Sequence, residues 1–161
     1  MGAGLDTTFS RVNNGILNWY NIDLPNVIEL RKKLLPESDK EKCIAKSFLG
    51  ISWFGDIRKD YDNVFIFTGG LFAYFDESDL RKFFNNLAKK FPNSEIIFDA
   101  PSSKFRNKIT NKAIKKYNSS NVELKLAIRN IESLEKFSPY IEIKSYFGFY
   151  EKVKKRKNGA L

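Results

Sequence analysis

The sequence predicts a single α/β domain with a mainly parallel sheet, and three observations carry that reading. Val64-Phe65-Ile66-Phe67 and Ile96-Ile97-Phe98 are short, continuous apolar runs, the pattern of strands buried on both faces. Between them Leu80, Phe83, Phe84, Leu87, Ala88 and Phe91 recur at helical spacing. Glycines cluster at positions expected for strand ends, at Gly2 and Gly4 and again at Gly69-Gly70. Strands alternating with helices need crossover connections, which make neighbouring strands parallel.

The elements follow in order. Leu17, Trp19, Tyr20 and Ile22 form a strand-like run ending at Asp23. Pro25 suits the first turn of a helix carrying Val27, Ile28, Leu30, Leu34 and Leu35, and Pro36 stops it. Residues 43–49 read as a short, weaker strand. The strand at 64–67 leads through Thr68-Gly69-Gly70 to the amphipathic helix, which Asp76 or Ser78 can cap and which Pro92-Asn93 breaks. The run 95–99 is the next strand. A basic helix near 102–117, a short helix near 131–137 and an alternating strand through Ile141, Ile143, Phe147 and Phe149 complete residues 1–150, and residues 151–161 form a basic tail.

Composition narrows the chemistry. The 161 residues suit one domain, and 42% apolar with 15% aromatic content argues against intrinsic disorder. The net charge of +9 is local: residues 104–116 contribute +6 without an acid and residues 151–157 contribute +4, which leaves the remainder near neutral. With no histidine, an imidazole base, a histidine-built triad and histidine zinc ligation are excluded. The single cysteine, Cys43, permits no internal disulfide, which fits a reducing, cytoplasmic setting. No apolar run reaches the roughly 18 residues of a membrane span, and no targeting segment is read.

Three features fall at predicted carboxyl ends of strands, where open parallel sheets bind ligands. In Gly2-Ala3-Gly4-Leu5-Asp6-Thr7-Thr8, two glycines allow close backbone approach to a nucleotide-like ligand; a flexible terminus is the plainer alternative. Asp23, 19 residues beyond Gly4, is placed to accept hydrogen bonds from ribose hydroxyls, or else to act as an acid at a helix N-terminus before Pro25. Gly69-Gly70 again suits close approach, with Leu71 to Phe75 as an apolar wall, or else forms an ordinary strand-to-helix turn.

These residues, together with Trp19 to Pro25, Ile44 to Ser47 with Ser52-Trp53, Gly69 to Phe75, and Ile96 to Asp99, resemble the leucine carboxyl methyltransferase family, and within it the tetracenomycin polyketide synthesis O-methyltransferase branch. The resemblance implies a Rossmann-like fold dependent on S-adenosyl-L-methionine, and methyl transfer to a carboxylate or phenolic hydroxyl of a small molecule. By resemblance Gly2, Ala3 and Gly4 line the methionine side of the cofactor and Asp6 braces their loop. Asp23, with Leu24 beside it, holds the ribose; Phe48 and Leu49 flank the adenine; Gly69, Gly70 and Leu71 pass beneath the cofactor. No catalytic residue and no metal ligand is assigned. Tyr74 is open between a substrate contact and core packing.

The chain departs from the family pattern in three places. The family's glycine loop follows a central first strand, in the sheet order 3-2-1-4-5-7-6, yet here only Met1 precedes Gly2. Buried unpaired strand edges would cost about 1 to 3 kcal/mol per polar group. The flanking strands are therefore expected to pair directly, to admit another segment, or to self-associate through their edges. Gly50 stands where relatives often carry an acid toward the adenine, and the closing helix and last strand are absent. Two other functions fit the residues: a non-catalytic remnant or binding module, and nucleic-acid binding through the basic helix. No base-reading motif accompanies that helix, so nucleic acid is not the expected partner; the resemblance implies a small-molecule substrate, and no membrane partner is expected.

Overall fold

A computed structural model describes residues 1–58, 63–117 and 122–148. The described chain is α/β, with helices α1 (Thr8–Val12), α2 (Pro25–Leu34), α3 (Glu77–Lys90) and α4 (Lys104–Tyr117) and strands β1 (Trp19–Asp23), β2 (Glu41–Ala45), β3 (Phe65–Thr68) and β4 (Glu95–Phe98). Short 3-10 turns span Ser52–Gly55, Phe72–Tyr74 and Ile131–Phe137. Pairing is parallel throughout but split in two: β1 pairs with β2, Trp19 opposite Glu41, and β3 pairs with β4, Phe65 opposite Glu95.

The core forms where the helical periodicity requires it. Leu80, Phe83, Phe84 and Leu87 line the buried face of α3. They close on the fully buried Phe72, whose ring meets those of Phe83 and Phe84 edge-on, each at 5.7 Å. Phe48 stacks edge-on against Phe83 at 5.2 Å and Phe75 at 4.8 Å, which joins the segment after β2 to the same cluster. Asp76 sits at the N-cap of α3, but its carboxylate pairs with Lys125 at 2.7 Å and makes no capping bond.

Several expectations are corrected. The β3 and β4 strands are buried on one face only: Ile66 and Thr68 are covered, whereas Phe65 and Phe67 are 66% and 41% exposed and Ile97 is also exposed. Among the described residues, no layer covers that second face. In α2 the buried residues are Ile28 and Arg31, and Leu30 and Leu34 face solvent. The strand expected over 43–49 ends at Ala45, because Phe48 turns into the aromatic core. The helix near 131–137 is a 3-10 turn. Residues 141–148 form no strand; Ile141 and Ile143 pack on the core and Lys144 pairs with Glu95, and Phe149 and the tail at 151–161 lie outside the described residues.

Where the resemblance placed a central strand, β1 and β3 do not pair with each other. Residues 1–3 reach between them at their carboxyl ends. The Ala3 N–H donates to the Ile22 carbonyl at 3.3 Å, and the Met1 ammonium donates to the Phe67 carbonyl at 2.7 Å. Direct pairing is thus not the solution the fold adopts.

Packing this dense makes α3 the test of the core. Phe83→Ala is expected to lower unfolding free energy by about 3 to 5 kcal/mol, and Leu30→Ala by less than about 0.5 kcal/mol, both read from urea denaturation.

Candidate functional site

The loop after Met1 is built on backbone that favours glycine. Gly2 and Gly4 have φ of +62° and +45°, in the left-handed region. The Asp6 N–H donates to the Ala3 carbonyl at 2.9 Å and closes the turn. A Cβ on Gly2 would lie 3.1 to 3.3 Å from the side chain of Leu71, so the loop touches the second glycine segment and a side chain there would require Leu71 to shift. Asp23, the last residue of β1, fixes the loop from beneath: Oδ2 accepts the Gly4 N–H at 2.8 Å and Oδ1 accepts the Leu24 N–H at 2.7 Å.

A second anchor comes from α2. Arg31 has only 2% of its surface exposed. Its Nη1 donates to the carbonyls of Gly4 at 3.0 Å and Asp6 at 2.8 Å, and its Nη2 pairs with Glu41 at 2.9 Å. Asn21 Nδ2 donates to the same Glu41 oxygen at 2.7 Å, and Trp19 Nε1 donates to Asn21 Oδ1 at 2.9 Å. The buried charge is thus paired and hydrogen-bonded, the condition under which an interior guanidinium is tolerated.

The turn after β3 repeats the device. Gly70 has φ of +67°, and its N–H donates to Asp99 Oδ1 at 2.6 Å, one residue past β4. Both glycine turns are therefore latched by an aspartate at the end of a strand. Thr68 Oγ1, at the base of this turn, is buried and has no hydrogen-bond partner among the described residues.

Of the residues singled out from the sequence, Gly2, Ala3, Asp6 and Gly69 line one cavity of about 250 Å³ between β1 and β3. Gly4, Asp23 and Leu24 join it through hydrogen bonds, and Leu71 through its contact with Gly2. The Phe48 ring lies in the aromatic core and its carbonyl accepts from Trp53 Nε1 at 3.0 Å. Leu49 is half-buried against the same core, and Tyr74 is exposed. A larger hollow of about 520 Å³ beside β2, lined by Lys40, Lys42, Lys46 and Arg58, contains none of the residues singled out.

The titratable groups are tuned modestly. Burial tends to raise the Asp6 carboxyl, but hydrogen bonds from Thr8 and the charges of Arg11 and Arg31 outweigh it and hold the group below its ordinary value. Burial and the Glu37 carboxylate push the Cys43 thiol up, away from a reactive thiolate. Among the described residues no cluster of His, Cys, Asp and Glu side chains is arranged to hold a metal ion, and no helix is long and apolar enough to cross a membrane. Sequence reasoning missed Arg31 and Asp99 as site residues. Arg31 stands three residues after the apolar Ile28, on the helix face that is buried, and Asp99 mirrors Asp23 in ending a strand.

Two outcomes follow. Arg31→Ala is expected to cost about 3 kcal/mol in urea denaturation, since it strands Glu41, and to speed amide exchange at Gly4. Desolvation lowers the Met1 ammonium from 8.0 to about 6, against the attraction of Asp23 and Asp6. Between about pH 6 and 8 the unfolded chain then binds more protons than the folded one. For a chain starting at Met1, stability should rise across that window by up to roughly 2 kcal/mol, and Nα-acetylation should flatten the rise in pH-dependent melts.

No family model matches the chain, and no solved structure matches it. Over 101 residues, 62% of the chain, it is 28% identical to the tetracenomycin polyketide synthesis O-methyltransferase TcmP of Streptomyces glaucescens. The match covers 37% of that protein's length. The likeness supports a relationship to a methyltransferase.

Proposed function

We propose that the chain is an S-adenosyl-L-methionine-binding, methyltransferase-like domain that acts on a carboxylate or phenolic oxygen of a small molecule, on a Rossmann-like scaffold. The carrying observation is the left-handed Gly2–Gly4 turn, latched to Asp23 at the carboxyl end of a parallel strand, in a chain similar to an O-methyltransferase. The residues suit the cofactor. A Cβ added at Gly4 or Gly70 would meet no atom within 4 Å, so both turns have open space beside them. Each Asp23 oxygen accepts one backbone N–H and keeps a lone pair for a ribose hydroxyl. In this reading Gly2, Ala3 and Gly4 hold the methionine moiety, Asp6 stiffens their turn, Asp23 and Leu24 flank the ribose, Leu49 borders the adenine, and Gly69, Gly70 and Leu71 form the floor.

When bound, the cofactor supplies an already activated methyl group on a sulfonium. The chain's contribution is then to align a substrate oxygen and exclude water, which alignment alone can make effective. A carboxylate is ionised at neutral pH and needs no general base, so the absence of histidine is compatible with this chemistry. A binding role without turnover is the second reading, favoured by the uncovered face of Phe65, Phe67 and Ile97.

Calorimetric titration with S-adenosyl-L-methionine separates these from a chain that binds no cofactor. Saturable heat is expected, weakened at least about tenfold by Asp23→Ala; no heat at millimolar ligand would refute the cofactor reading, and binding without methyl transfer would favour the second.

A further inference from the structure

The hollow of about 520 Å³ beside β2 is lined by basic side chains whose charge the fold does not use. Asn21 and Glu41 join Arg31 on the α2 side of the β1–β2 sheet, so the alternate residues Tyr20 and Lys42, opposite each other in the ladder, turn to the other side. Both line the hollow, as does Lys40, two residues before Lys42 and in the same alternation. Lys46, at the other end of β2, is fixed by Asp56 at 2.6 Å and by the Ser52 carbonyl at 3.2 Å. The Arg58 N–H donates to the Tyr20 hydroxyl at 3.4 Å, which brings the segment carrying Arg58 against the strand.

Four cations, Lys40, Lys42, Lys46 and Arg58, face two acids, Asp39 and Asp56. Asp56 is spent on Lys46, and Lys40 and Lys42 form no ion pair among the described residues. Glu37, whose carboxylate feels the Lys42 charge, is held by Lys32 at 3.0 Å and by the Cys43 N–H at 2.6 Å. Lysines on an edge strand ordinarily keep another chain from pairing there. Here that edge is closed without them: Ser38 exchanges backbone bonds with Glu41 at 3.1 and 3.3 Å, and Glu37 takes the Cys43 N–H. Between the lysines the hollow is apolar, through Ile44 and Ala45 with Tyr20 beside them.

We propose that this hollow binds a small organic phosphate carrying at least two negative charges, its phosphoryl oxygens at Lys40 and Lys42 and its apolar part against Tyr20 and Ala45. The charge follows from the two lysines that no carboxylate neutralises. Phosphate follows from their chemistry: an ammonium is a compact point charge with three donors, suited to tetrahedral oxygens, whereas the planar fork of a carboxylate is matched by a guanidinium. The volume falls within the roughly 300 to 1,000 Å³ of small-molecule sites. S-adenosyl-L-methionine carries a sulfonium and an ammonium against one carboxylate, so a basic hollow repels it. The inference therefore stands apart from the methyltransferase reading.

The test titrates the full chain with inorganic pyrophosphate at constant ionic strength and follows the amide resonances. Saturable shifts centred on Lys42 and Cys43 are expected, half-complete at about 1 mM or below. Both lysines are exposed, so the double variant Lys40→Gln, Lys42→Gln should melt as the parent does while its affinity falls at least about tenfold. Lys108→Gln with Lys112→Gln, on the exposed face of α4, should change the affinity less than about twofold. No saturation by about 10 mM would overturn the proposal, as would equal weakening by the two double variants, the mark of attraction to net charge alone. Shifts centred on Gly4 and Gly70 would also refute it, because the phosphate would then occupy the glycine turns. A single-stranded oligonucleotide binding the same lysines at least about tenfold more tightly than pyrophosphate would assign the hollow to a polymer and overturn the small-ligand reading.

Discussion

A single buried guanidinium ties together the parts of this molecule that the sequence keeps apart. Arg31 belongs to a helix, yet it spends its donors on two carbonyls of the amino-terminal loop and on a carboxylate of β2. Without it, the carbonyls of Gly4 and Asp6 would need other donors and Glu41 would be left facing Asn21 alone. An interior ion pair is a weak source of net stability, because desolvation offsets most of the attraction. Its value here is positional: it sets where a glycine turn, which has little conformational preference of its own, comes to rest.

The aspartates act on the same principle from the sheet side. A carboxylate accepts a backbone N–H more strongly than a neutral oxygen does, and it does so from a rigid strand end. Asp23 holds Gly4 and Asp99 holds Gly70, so each flexible turn is bound to its neighbouring strand. Both glycines hold left-handed backbone, a geometry that a residue with a Cβ would adopt only under strain.

Much of this was legible in the sequence, and the boundary between what was and was not has physical causes. The amphipathic period of residues 80–91 specified α3 because hydrophobic spacing is a local signal. The glycine turns and Asp23 stood out because unusual backbone leaves a compositional trace. The exposure of Phe65 and Phe67 was not legible: an apolar run reports that a strand is suited to burial, not that a covering layer is present. That Phe48 packs in the core was not legible either, because an aromatic beside a ligand pocket and an aromatic in the core have the same local sequence. Arg31 was hidden for the opposite reason, since a basic residue in a helix is ordinarily solvated and only its partners, far away in the chain, reveal that it is buried.

The contact between Gly2 and Leu71 has a mechanical meaning. It brings the β1–β2 half and the β3–β4 half together at their carboxyl ends, while the cavity keeps them apart toward Asn18 and Asn63. The pair is therefore a wedge, closed at the glycine turns and open at the opposite end. A ligand at the turns would meet the end at which the two halves touch.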